Sequence, residues 1–148
     1  MSWRFAKPTK KHSLTAGWYG NDTTWSMVLD LNKIAIYGKA DGTLSDKPQR
    51  QIYSITDAII GGQGNGPLNP VPLPLGFLGF SNSSPLNDLC FSSLMGFDFK
   101  KLPLIMNSFS DNLLMKSKIF INDVPFEKGG IYKHSIKTTP PDGWIDYL

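Results

Sequence analysis

The residues best placed to do chemistry in this chain are glycines. Gly61-Gly62-Gln63-Gly64-Asn65-Gly66 offers a run of backbone amides with few side chains in the way. Such a run can adopt positive φ and form a nest of N–H groups that holds a phosphate or a carboxylate. It equally suits a tight connection where a strand leaves a sheet. Two familiar phosphate sites are excluded. The dinucleotide fingerprint opens a helix directly after its glycines, whereas Pro67, Pro70 and Pro72 follow here. The phosphate loop needs a Lys-Ser/Thr pair, which is absent.

Isolated carboxylates flank the run. Between Arg50 and Lys100 the only charged residues are Asp57, Asp88 and Asp98, and acids in an uncharged stretch need partners or a task. Asp57 and Asp88 could bind a metal together with Asp22, or work as an acid/base pair. Alternatively, Asp88 favours the first turns of a helix through the dipole, and Asp57 holds the glycine turn through backbone amides. The candidate ligand-binding set is therefore Asn21, Asp22, Asp57, Gly62, Gln63, Gly64, Asn65, Gly66 and Asp88; no catalytic or metal-ligating residue is assigned.

Other chemistries find little support. His12 and His134 stand alone without ligand spacing, and the serines from Ser81 to Ser93 show no nucleophile elbow. The single cysteine, Cys90, falls on an apolar helix face and reads as a core thiol. One cysteine cannot form an intrachain disulfide or supply the four ligands of an iron–sulfur cluster, so no cluster is expected within this chain.

The elements that would carry these residues follow from periodicity. Asn21-Asp22 offers capping oxygens before an apolar pattern (Trp25, Val28, Leu29, Ala35, Ile36) that predicts a helix over 23–37 ending at Gly38. The β-branched run of 51–60 predicts a buried strand. The prolines of 67–74 predict an extended segment without ladder hydrogen bonds, and 75–80 a second short strand. Ser83, Ser84 and Pro85 then start a helix whose apolar face is Leu86, Leu89, Cys90, Leu94 and Met95, stopped at Gly96. Residues 102–109 suit a short helix and 118–122 a strand.

A chain of 148 residues with 41% hydrophobic and 12% aromatic residues can bury a core. The net charge of +3, from 15 basic and 12 acidic residues, gives no basic patch, so no nucleic-acid partner is expected. No apolar run resembles a signal peptide or a membrane span, and with one cysteine this predicts a cytoplasmic protein without a membrane partner. The uncharged middle of the chain is expected to be its buried part.

Three strings in order resemble a known family. They are Gly20-Asn21-Asp22-Thr23-Thr24-Trp25 with Leu29-Asp30-Leu31-Asn32-Lys33, then 54–60 running into Gly64-Asn65-Gly66-Pro67-Leu68, then Leu94-Met95-Gly96-Phe97-Asp98 with Leu102-Pro103-Leu104-Ile105. Together with Gly143-Trp144-Ile145 they are similar to the C-terminal portion of the domain-of-unknown-function family 362. The resemblance implies α/β proteins, some with ferredoxin-like iron–sulfur modules, whose N-terminal portion this chain lacks. Gln63, Ser26 and Ser93 stand where members commonly carry charged residues.

The resulting expectation is an α/β fold, a small mostly parallel sheet with helices packed on it, forming the C-terminal part of a larger α/β domain. Residues 1–16 form a polar N-terminal segment or severed end, and 17–148 one domain. Two functions compete: a small anionic-ligand or metal site at the glycine turn, and a non-catalytic interaction module packing on a missing N-terminal half or an identical chain. Electron transfer with a ferredoxin-like protein is a third. The sequence leaves enzymatic activity and cofactor open.

Overall fold

The computed structural model describes residues 24–66, 69–109, 117–126, 128–142 and 144–148. The chain divides into two compact units, Met1–Arg50 and Gln51–Leu148.

The first unit contains helix α1 (Thr24–Tyr37), within a residue of the predicted span. It stops at Gly38, where any Cβ would lie 2.5 Å from the Ile34 carbonyl oxygen. The last carbonyls of α1, which a helix leaves unpaired, are capped from the following loop. The Arg50 guanidinium donates to the carbonyls of Ala35 (3.1 Å) and Gly38 (2.8 Å), and the Gln49 amide to Ile36 (2.8 Å). A cation there also complements the helix dipole. Within the loop, the Asp41 carboxylate accepts from the Thr43 amide and hydroxyl, with Gly42 at φ +82° completing the turn. These bonds, the hydroxyl's first, hold the Asp41 carboxyl below its usual pKa. The Trp25 indole Nε1 is buried with no hydrogen-bond partner among the described residues.

The second unit corrects the predicted sheet. Strands β1 (Ser54–Gln63) and β2 (Val71–Ser81) pair antiparallel, as do the short strands β3 (Ile119–Ile121) and β4 (Val124–Phe126). Among the described residues there are two separate two-stranded sheets and no parallel pair. The reason is the length of the connections. A parallel pair needs a crossover of about a dozen residues or more, whereas β1 reaches β2 through seven and β3 reaches β4 through Asn122-Asp123. These two residues take φ of +48° and +64°, the positive-φ pair of a tight hairpin turn.

The proline segment is corrected too, since Pro72 and Pro74 pair with Gly62 and Ile60 inside the ladder. Both occupy even positions of a strand with one partner, so their missing N–H groups fall on the same side. Between Ala58↔Phe77 and Ile60↔Pro74 the register shifts by one, setting Leu75 and Gly76 opposite Ile59. Gly76, at φ +70°, is the residue that can make this bulge. Ile59 and Ile60 are consequently both exposed.

Helix α2 (Ser84–Leu94) carries Pro85 in its first turn and buries Leu89, Ser93 and Leu94. Each buried leucine contributes about 1.5–3 kcal/mol. Ser93 is fully buried because its hydroxyl donates to the Leu89 carbonyl (2.7 Å). The expected Ser83 hydroxyl cap is absent; Ser81 Oγ instead accepts from the Ser83 amide and donates to its carbonyl. At its other end α2 meets the C-terminal segment. The Ile136 amide donates to the Leu94 carbonyl (2.7 Å) and Thr138 Oγ1 to that of Met95 (2.7 Å). Helix α3 (Pro103–Ser108) buries Ile105, and with Ala58, Phe97 and Ile131 these residues form the core.

Candidate functional site

The glycine turn belongs to the β1–β2 hairpin. Gly61 to Gln63 extend β1, and the chain turns at Gly64, which has φ +76°. Gly62 faces the chain across the hairpin so closely that a Cβ would lie 2.8 Å from Pro70 Cβ. The Gly66 amide donates to the Gly64 carbonyl (2.9 Å). Pro67 and Leu68 lie outside the described residues.

Three consecutive residues of the turn grip the C-terminal segment. The Gly64 amide donates to the Thr139 carbonyl (2.9 Å), and Gln63 Oε1 accepts from the Thr139 amide (2.8 Å). Asn65 binds Asp142 twice: Nδ2 donates to the carboxylate (2.9 Å) and Oδ1 accepts from the amide (2.8 Å). The groups that would receive an anion are thus occupied at Gly64, and Asp142 brings a carboxylate of its own. Geometrically the turn is a clamp on residues 139–142.

The flanking acids take separate places. Asp57 stands on the exposed side of β1, where its carboxylate accepts from the Ile59 amide (3.1 Å) beside the bulge. Asp88 lies in α2 and is exposed as a residue. Partial desolvation nevertheless raises its carboxyl pKa above the usual value, opposed by a hydrogen bond from Asn87. Asn21 and Asp22 lie outside the described residues. Among the described residues no group of three or more His, Cys, Asp or Glu side chains could hold a metal ion.

The surface that sequence reasoning missed is the hairpin's outer face. The strand burial pattern alternates, and the packed side holds Ser54, Thr56, Ala58, Phe77, Gly79 and Ser81. The outer side holds Ile55 and Phe80, 74% and 71% exposed, with Tyr53, Ile59, Ile60 and Leu78 all more than half exposed. Pro72 and Pro74 extend it, Tyr53 stacks on Phe80 at 5.6 Å, and Asp57 is its one charge. The uncharged middle of the chain is thus buried on one side only. The signal was available, because two apolar strands joined by a seven-residue link must present one apolar face away from the helix.

What sets the packed side is α2. Thr56 Oγ1 and Asn87 share two hydrogen bonds, of 3.0 and 2.8 Å, and Ser54 Oγ meets Ser84 Oγ at 3.1 Å. Gly79 leaves room for the Phe91 ring, whose Cε2 would lie 2.3 Å from any Cβ there. A polar helix face therefore selects small and polar residues on the strands beneath it.

No helix among the described residues is long and apolar enough to cross a membrane. Comparison with protein-family models, curated proteins and solved structures gives no match. The likeness to family 362 rests on the sequence strings alone.

Proposed function

We propose that this protein is a non-catalytic interaction module that pairs with a second copy of itself through the outer face of the β1–β2 hairpin. The observation that carries this reading is the size and composition of that face: six large apolar side chains more than half exposed, with Asp57 the one charge. At on the order of 100 Å2 each they present about 600 Å2, before the two prolines, against the ~800 Å2 per partner of a standard stable interface. A face with almost no charge has no sign to match in a partner, and an isologous pair places the same patch on both sides.

This reading is preferred to a small-ligand site because the glycine turn spends Gln63, Gly64 and Asn65 on the C-terminal segment. The test is sedimentation equilibrium of the full chain and of Ile55→Lys/Ile60→Lys. The wild type should form a dimer at micromolar concentration, and the variant should be a monomer with an unchanged far-UV circular dichroism spectrum. A wild type that stays monomeric at 100 μM, or a variant that still dimerises, overturns the proposal.

A further inference from the structure

A second surface lies along the free edge of β2 and borders the outer face at Tyr53, Leu78 and Phe80. A cavity of about 900 Å3 is lined by the consecutive residues 76–83 on one wall and 117–122 on the other. A strand that turns a face to a cavity contributes alternate residues; consecutive residues signal that its edge is presented. The walls are the outer edge of β2 and strand β3, each of which has a single strand partner. Among the described residues, no backbone group of 76–80 or 119–121 bonds outside its own hairpin. The floor is mainly apolar, formed by Leu86, Cys90, Phe91, Leu94 and the buried Ile131, with Asn87 its one polar side chain.

Unpaired strand edges are a hazard that proteins usually block with prolines or charges. Here β2 carries Pro72 and Pro74 nearer the glycine turn, and β4 carries Pro125. Neither 76–83 nor 117–122 contains a proline, and Lys118 is the one charge lining the cavity. The edge is thus left open where it borders the cavity.

We infer that this cleft takes up an extended segment of another polypeptide, which enters as a strand between β2 and β3 and bonds to both. Backbone groups on both walls specify a β-strand, the mode of strand addition to a sheet edge. Strand β3, three residues long, spans about 10 Å at ~3.3 Å per residue, so on that wall the occupant pairs over about three residues. The floor asks for apolar side chains at alternate positions, and Lys118 favours one acid at an end. The cleft borders the outer face at Tyr53, Leu78 and Phe80, but Ile55 and Ile60 do not line it, so Ile55→Lys/Ile60→Lys tests self-pairing while leaving the cleft's own residues unchanged.

The test uses a blocked seven-residue peptide alternating valine and threonine with one terminal aspartate, added to the full-length chain and to Ile55→Lys/Ile60→Lys. Amide hydrogen exchange is followed at 76–80 and 119–121. The peptide should slow exchange about tenfold on both walls, in both proteins, and N-methylating either alternate set of its amides should weaken binding about tenfold. An inserted strand uses one set of amides for each wall. Sensitivity of one set alone overturns insertion in favour of addition to a single edge. Protection already present in the free protein overturns it as well, with the chain itself as occupant if dilution leaves the protection unchanged and a second copy if dilution removes it. A wild type that stays monomeric while the peptide still protects both walls would refute self-pairing and leave this inference standing.

Discussion

The two faces of the β1–β2 hairpin reverse the usual arrangement of a sheet. An antiparallel sheet with one face on the core normally turns apolar residues inward and polar ones out. Between Ser54 and Ala58 of β1, and opposite at Gly79 and Ser81, the packed face is small and polar, while the outer face carries isoleucines, Leu78 and Phe80. Only the turn end, with Leu73, Leu75 and Phe77, follows the ordinary rule. Hydrophobicity along a strand therefore marks which side wants cover, and the neighbour's shape decides which side receives it within one chain.

Substitutions on the two faces should separate stability from association. Gly79→Val should have the largest effect, because the new side chain enters the Phe91 ring; overpacking predicts a loss of about 3 kcal/mol in urea unfolding. Phe91→Leu in the same chain should recover part of it. Asn87→Leu strands the Thr56 hydroxyl against the helix and should cost about 1–2 kcal/mol by the same measurement. On the outer face, Ile55→Lys should change monomer stability by less than about 0.5 kcal/mol while abolishing dimerisation. Asp57→Asn, which keeps an acceptor for the Ile59 amide, should tighten the dimer several-fold in sedimentation because the one charge of the face is removed.

Cys90 offers a pH-dependent check on the helix that organises the packed face. Burial raises its thiol from 9.0 to about 11. The folded chain then holds a proton that the unfolded chain releases above 9.0, so stability should fall as pH rises from about 9 to about 11 and be insensitive to this group below 9. Alkylation of Cys90 by iodoacetamide should be slow at pH 8 and accelerate towards pH 11. Cys90→Ala should flatten the alkaline limb of the stability profile.

How much was legible in the sequence depended on whether a signal was local. The spacing of Leu86, Leu89 and Leu94 located α2, and Gly38 located the end of α1, because helical period and left-handed or crowded ends are written in neighbouring residues. Strand direction was written there too, in a link too short for a parallel crossover, but the four prolines from Pro67 to Pro74 obscured it. Their compatibility with a ladder depends on having one strand partner, which is a tertiary fact. The two-residue turn at Asn122-Asp123 was missed for a related reason: three-residue strands show too little alternation to count. At the glycine run, the sequence showed amides free to bind but held no sign that Thr139 and Asp142, some 76–77 residues later, would be what they bind.

That separation gives the turn a use as a kinetic marker. Contacts so distant along the chain cost more closure entropy than the hairpin that they fasten, so in folding the tail should lock after β1 and β2 have paired. In the native state the same contacts can open by a local excursion. The exchange rate of the single Gly64 amide then counts detachments of the tail, independently of global unfolding.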